Sequence, residues 1–266
     1  MDDVTKTDKM LSRKDGNVGY VIFNNPERHN AVSLEMWSRT AEILAEFARD
    51  DDVRVVVITG AGGKSFVSGA DISKFESERA SQDATKIYNA AVAKANESIY
   101  EFAKPTIAMI NGPAAGAGLA LTLACDLRVA GTSARLVTAF VRVGFSGDFG
   151  GSFFLTRLVG TAKARELYFT GRPVEADEAL SLRLVNRVVA DEDLVSATME
   201  LARSLARGPS IALSLMKRNL NCAETGDLTE LLDMEAVHQV QTGRTEDHRE
   251  AAKAFVEKRA PIFTGR

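Results

Sequence analysis

The chain has 266 residues, of which 45% are hydrophobic and 26% charged, a balance typical of a globular protein with a sizeable core. A formal net charge of −3 gives no support to a nucleic acid or an anionic membrane as partner. The longest apolar runs, such as VRVVVITG, are too short to span a bilayer, and MDDVTKTDKMLSRKDG lacks the apolar centre of a secretory signal, so we expect a cytoplasmic protein.

The N-terminal part of the chain predicts a hairpin, a helix and a buried strand. Asp15-Gly16-Asn17 supplies turn chemistry between two strand-like runs, and Pro26 ends the second run. Ser33 is a candidate N-cap of an amphipathic helix that continues to the charged break RDDDVR. Val55–Ile58 is β-branched and apolar throughout, as expected of a strand that is buried on both faces.

The middle of the chain alternates strand, turn and helix. After a polar helical stretch to about Ala103, PTIAMI predicts a second buried strand, LALTLAC a helix of small residues and DLRVAG a third strand. From about Asp191 onward helices dominate. The pattern predicts an α/β chain with a C-terminal helical region.

Two glycine-rich loops place small residues at a turn into a helix, Ser68–Asp71 and Gly116–Gly118. ITGAGGKS is similar to a P-loop, but Ile58 stands where the first glycine is required. Backbone N–H groups at a helix start have no intrahelical partner, and two of them that converge on one oxygen would form an oxyanion hole. The alternative is that the small residues only allow close packing of strands and helices.

Asp148 lies in VGFSGDFGGSFF, among glycines and between Phe145 and Phe149. Two interpretations remain open from the residues alone. Asp148 either caps the helix that begins near Gly150 or serves as an acid or base, because flanking aromatic rings would desolvate its carboxylate and raise its pKa.

Four segments resemble the crotonase family, the enoyl-CoA hydratases and isomerases. They are NNPERHNAVS, ITGAGGKSFVSGADISKF, KPTIAMINGPAAGAGLALTLACDLRVA and LVGTAKARELYFTGRPVEADEALSLRLVNRVV. The resemblance covers about residues 10 to 260. It implies an α/β fold in which a spiral of ββα turns, residues 10–200, forms two roughly perpendicular sheets. It also implies that residues 201–266 form a helical region that assembles trimers, often paired into hexamers.

The resemblance also implies an acyl-CoA thioester substrate, with CoA as part of the substrate and no separate cofactor. The oxyanion-hole N–H groups would belong to Ala70 and Ala117, the second standing where the family usually has glycine. PERHNAVS matches the CoA loop, and Phe255 and Lys258 would complete the CoA site of a neighbouring subunit. The residues expected at the substrate are Arg28, His29, Ala31, Ser68, Gly69, Asp71, Ile72, Gly116, Phe140, Phe255 and Lys258.

Some of these residues have a competing interpretation. Arg28 is either a CoA contact or a solvated surface charge, and Asp71 is expected to start a helix instead of moving a proton. The sequence leaves open whether Glu76 and Glu78 reach the site. Neither the histidines nor the cysteines have a metal-binding spacing, so no metal is expected.

The chain departs from the resemblance where the family's hydratases carry two glutamates. Ala120 and Phe140 occupy those positions, and neither can move a proton. Asp148 remains, and several family branches, including isomerases, carry an aspartate at or near this place. We therefore predict an enoyl-CoA isomerase with Asp148 as proton shuttle. The alternatives are a hydratase-like lyase, a thioester hydrolase or dehalogenase, and a non-catalytic acyl-CoA-binding protein.

Overall fold

The computed structural model describes residues 8–266, which form two β-sheets and ten α-helices. The strands are β1 (Met10–Asp15), β2 (Val18–Phe23), β3 (Val55–Gly60), β4 (Thr106–Ile110), β5 (Ala114–Ala115), β6 (Leu127–Gly131), β7 (Arg135–Val137), β8 (Val174–Glu175) and β9 (Arg187–Val189). The helices are α1 (Leu34–Arg49), α2 (Phe75–Glu78), α3 (Gln82–Tyr100), α4 (Ala117–Ala124), α5 (Gly151–Thr170), α6 (Ala176–Ser181), α7 (Leu194–Ala206), α8 (Ser210–Thr225), α9 (Leu228–Gly243) and α10 (Glu246–Glu257). Within these residues, no helix combines the length and apolar character that a membrane crossing requires.

The larger sheet has the strand order β1-β2-β3-β4-β6-β9. Only its edge pair β1 and β2 is antiparallel, and the predicted hairpin is confirmed, with Gly16 at a left-handed φ of 57° in the turn. Every residue of β3 is buried, as predicted. Val55 and Val57 face one hydrophobic core and Val56 and Ile58 the other, because successive side chains of a strand point to opposite faces.

The smaller sheet joins β5, β7 and β8. Single bridges extend this pattern into the loops: Val67 pairs with Ala114, and Val32 pairs with Ala70. The first bridge holds the loop after β3 against the segment after β4, and the second holds the same loop against the segment before α1.

Among the last four helices, α7 and α8 contact different parts of the fold. α7 covers one face of the larger sheet with Leu194, Met199 and Ala202. α8 is tied to the end of α4 by the ion pair between Lys217 and Asp126, at 2.9 Å. The division at residue 200 stays a prediction, and α7 itself runs across that position.

Candidate active site

The two glycine-rich loops meet because glycine allows their backbones to approach closely. The Ala115 N–H donates a hydrogen bond to the Val67 carbonyl at 3.0 Å. A methyl group on Gly118 would lie 1.9 Å from that same carbonyl oxygen, so the first turn of α4 can pack here only with glycine at this position. The contact places Ala70 and Ala117 in the wall of one cavity.

The backbone N–H groups of Ala70 and Ala117 are both free to bind a ligand oxygen. Neither donates a hydrogen bond to any residue of the described chain. Ala117 is the first residue of α4, where an N–H has no intrahelical acceptor. Its φ is not left-handed, whereas Gly116 before it has φ 53°, so the turn depends on Gly116 and tolerates a methyl group on residue 117. Two free N–H groups in the wall of one cavity are what an oxyanion hole requires.

Asp148 reaches the same cavity from the loop before α5. Gly147, Phe149 and Gly150 all have left-handed φ values, 102°, 60° and 70°, which make the sharp turn that carries Asp148. Gly150 is the N-cap of α5, and no side chain in residues 8–266 makes a capping hydrogen bond to the helix. The capping interpretation of Asp148 is therefore wrong, which leaves its carboxylate available for chemistry.

The pKa of Asp148 is raised to about 6 from its ordinary 3.8. Burial of the carboxylate among apolar groups is the largest cause, and the Arg79 guanidinium opposes it. Phe140, Phe145 and Phe149 line the same cavity, as the sequence predicted. The residue also keeps a solvent-exposed surface, so a bound substrate would desolvate it further.

The cavity has a volume of about 90 Å³, and most of the residues predicted for the catalytic centre line it. The predicted residues that line it are Ser68, Gly69, Ala70, Ile72, Gly116, Ala117, Phe140 and Asp148. Sequence reasoning missed Phe75, Arg79, Ala139 and Val143, which line it too. Arg79 lies four residues after Phe75, a helical spacing at which two side chains touch, and that spacing was the available signal.

Other predicted residues lie outside this cavity. Arg28 and Asp71 form an ion pair at 3.2 Å, and the Asp71 carboxylate also accepts the Ser73 N–H at 3.1 Å, which starts a short helical turn as expected. The carbonyl groups of His29 and Ala31 accept hydrogen bonds from the Ser68 N–H and the Asn25 amide. These contacts build the loop beside the cavity, and they do not bring the four side chains to Asp148.

Two further groups are outside the cavity as well. Phe255, which is 86% exposed, and Lys258 lie at the end of α10 and do not line it in the same chain. Glu76 also does not line it, and the Glu78 carboxylate accepts the Leu34 N–H at 3.1 Å at the start of α1. Among residues 8–266, Asp148 is thus the only carboxylate in the wall of this cavity.

Glu78 also corrects the prediction for α1. Ser33 occupies the N-cap position, but its side chain makes no capping bond, and its hydroxyl is buried without a hydrogen-bond partner in the described chain. A carboxylate near a helix N-terminus satisfies a free N–H and complements the helix dipole. The sequence could not predict this cap, because Leu34 and Glu78 are far apart in the chain and no local pattern links them.

A larger cavity of about 570 Å³ adjoins the first on the other side of Asp148 and Phe149. It lies between α3 and the start of α5, and its wall includes Val92, Glu97 and Tyr100. Asp148 therefore lies in the wall between the two cavities.

The sequence of this chain matches a known protein family. The model of the family described as Enoyl-CoA hydratase/isomerase matches residues 13–266. This chain belongs to that family.

The relatives of this chain in the enoyl-CoA hydratase/isomerase family include proteins named as isomerases and proteins named as hydratases. The chain is 36% identical to the 1,2-epoxyphenylacetyl-CoA isomerase of Escherichia coli (strain K12), over 97% of this chain and 98% of that protein. It is 34% identical to the short-chain-enoyl-CoA hydratase of Clostridium acetobutylicum, over 94% of this chain and 95% of that protein. The crystal structure of an enoyl-CoA hydratase from Bacillus anthracis superposes with a TM-score of 0.92 at 31% identity, over 97% of this chain and all of that chain.

Proposed function

We propose that this enoyl-CoA hydratase/isomerase family member is an enoyl-CoA isomerase that moves a double bond toward the thioester, with Asp148 as its single proton carrier. The supporting observation is the content of the cavity. It combines one carboxylate with two free backbone N–H groups, from Ala70 and Ala117.

The proposed reaction is a proton shift through a dienolate. The Asp148 carboxylate removes a proton from C2 of a 3-enoyl-CoA, and the negative charge moves to the thioester oxygen. The Ala70 and Ala117 N–H groups stabilise that oxygen, and removal of one such donor costs about 3–4 kcal/mol in related sites. The protonated Asp148 then returns the proton at C4, so that atoms and charge balance with no other reactant.

Hydration is the second candidate, because relatives of this chain are named hydratases. Water addition in this family uses two glutamates, as the resemblance implies. Ala120 and Phe140 replace them, and Ala120 is buried outside the cavity wall. A lone carboxylate can shuttle one proton, but it cannot both hold and activate a water molecule as a pair does.

The distinguishing experiment supplies 3-enoyl-CoA and 2-enoyl-CoA thioesters separately and analyses the products by mass and chromatography. The proposal predicts that 3-enoyl-CoA turns into 2-enoyl-CoA of the same mass. A product heavier by one water from 2-enoyl-CoA, with no double-bond shift, would favour the hydratase. Binding without turnover of any thioester would favour an acyl-CoA-binding protein.

The pH dependence of the isomerase should follow Asp148. Because the base must be ionised to remove a proton, kcat/KM should rise through about pH 6, the pKa of Asp148, and level off above it. Histidine as a residue type can titrate in the same range, so a histidine variant serves as a control. If Asp148 sets the midpoint of the profile, His29→Gln should keep that midpoint. A kcat/KM that stays constant down to pH 5 would contradict the assignment.

We also propose that the chain assembles through its C-terminal helices as a homotrimer or a dimer of trimers. Large apolar side chains on this region face solvent in the single chain, among them Leu220 and Leu228, which are 68% and 70% exposed. Apolar helix faces of this kind require a partner. Light scattering at micromolar concentration should give three or six times the chain mass, and a monomer would refute the proposal.

A further inference from the structure

Arg79 is the one cation that the described part of the chain places in the wall of the active-site cavity. It follows α2, where its N–H donates to the Phe75 carbonyl at 2.9 Å. The guanidinium carbon lies 4.0 Å from the centre of the Phe75 ring and 4.2 Å from the centre of the Tyr88 ring. Stacking against two rings restricts the planar guanidinium and fixes its position in the wall.

This guanidinium has no carboxylate partner at ion-pair distance anywhere in residues 8–266. Its Nε is buried and makes no hydrogen bond within the same residues. The Arg79 side chain has a hydrogen bond with the Tyr88 side chain. A partly buried charge that lacks an opposite charge nearby is nevertheless costly, and such groups are retained at functional sites more often than elsewhere. Asp148 is the only carboxylate of these described residues that lines the same cavity.

We propose that Arg79 is a positioning residue of the proton shuttle, whose charge keeps the Asp148 carboxylate ionised in apolar surroundings so that it can remove the C2 proton near neutral pH. This inference rests on the proposed isomerase function. Arg79 acts through Asp148 and does not itself transfer a proton.

The groups around Asp148 support this role. Arg79 is the charged side chain that lowers the pKa of Asp148, against the effect of burial. Tyr88 on α3 and Tyr168 on α5 also face Asp148, and burial raises the pKa of Tyr88 and raises that of Tyr168 to about 12, so both stay neutral in the working range. Glu97 lines the adjoining cavity and is not among the charges that shift Asp148.

The negative charge stays close to Arg79 at both stages of the reaction, so the cation favours ionised Asp148 without changing the barrier to transfer from the ionised form. Before proton removal the negative charge is on Asp148, and after it the charge is on the thioester oxygen held by Ala70 and Ala117. Both positions border the cavity that Arg79 lines. The net charge of the site is therefore the same before and after the transfer, and a fixed cation needs no rearrangement between them.

The test compares the pH profiles of kcat/KM for Arg79→Met, Arg79→Gln and Arg79→Lys in the full chain, with 3-enoyl-CoA as substrate. Loss of a nearby opposite charge raises a carboxylate pKa by about one unit or more. The acid limb of Arg79→Met and Arg79→Gln should move up by about one pH unit, with kcat/KM about fivefold lower at pH 6 and equal to the wild type at pH 9. Arg79→Lys keeps the charge and should leave the limb near its wild-type position.

Arg142→Met is the matched control. Arg142 is an exposed cation in the short helical turn Phe140–Val143 beside the cavity, but it does not itself line the cavity. Its profile should coincide with that of the wild type. An unmoved limb in both neutral Arg79 variants would overturn the inference, and so would a raised KM with an unmoved limb, which would make Arg79 a substrate contact only. Failure of the isomerase proposal looks different, since it appears as absent isomerisation by the wild type or full activity of Asp148→Asn.

Discussion

Asparagine in place of Asp148 is expected to lower kcat for isomerisation of a 3-enoyl-CoA by at least about 10²-fold, the low end for a positioned acid–base group. Asparagine keeps the size of the side chain and cannot carry the proton. The proposed oxyanion-hole donors, Ala70 and Ala117, are unchanged, so the affinity for an acyl-CoA should stay the same. Steady-state kinetics and calorimetric titration measure the two quantities separately.

The stability of this variant provides an independent check. Because the pKa of Asp148 in the folded protein lies above its ordinary 3.8, the fold favours the protonated form, and stability decreases as pH rises from about 4 to about 6. Neutral asparagine avoids that loss, so the melting temperature at pH 8 should not fall. Glu76→Gln removes a charge outside the cavity and should retain full activity. Full turnover by Asp148→Asn would contradict the proposed mechanism.

Deletion of the Ala117 N–H should have a comparable effect on the chemical step. Incorporation of lactic acid at position 117 replaces the amide N–H by an ester oxygen and keeps the methyl group. We expect kcat to fall by about 10²–10³-fold, as for the loss of one oxyanion-hole donor. The substitution is conservative in shape, because Ala117 begins α4 and its N–H has no partner in the described chain.

The same ester at position 120 is the matched control for backbone chemistry. The Ala120 N–H donates to the Gly116 carbonyl at 3.1 Å within the same helix, so its loss should lower the free energy of unfolding by about 1 kcal/mol. It should leave kcat unchanged, since Ala120 does not line the cavity. Equal loss of activity in both esters would show that distortion of α4, and not a missing donor, is responsible.

Much of the fold could be predicted from local patterns. The turn at Asp15-Gly16-Asn17 and the apolar run Val55–Ile58 each carry their own signal, through turn chemistry and through residues suited to burial on both faces. Asp148 also stood out locally, because a carboxylate between two phenylalanines and among glycines is unusual for a turn. Its capping alternative could be rejected only when Gly150 was seen to be the N-cap of α5.

By itself, then, the sequence determined the elements, the two small-residue loops and the candidate proton carrier, since these depend on neighbouring residues. Only the tertiary structure decided which of these residues come together. It placed the Ala70 and Ala117 N–H groups in one cavity, gave Glu78 instead of Ser33 the capping bond to α1, and placed Arg79 in the wall that contains Asp148. The physical reason is that desolvation and charge interaction act through space, between groups that the chain brings together only when it folds.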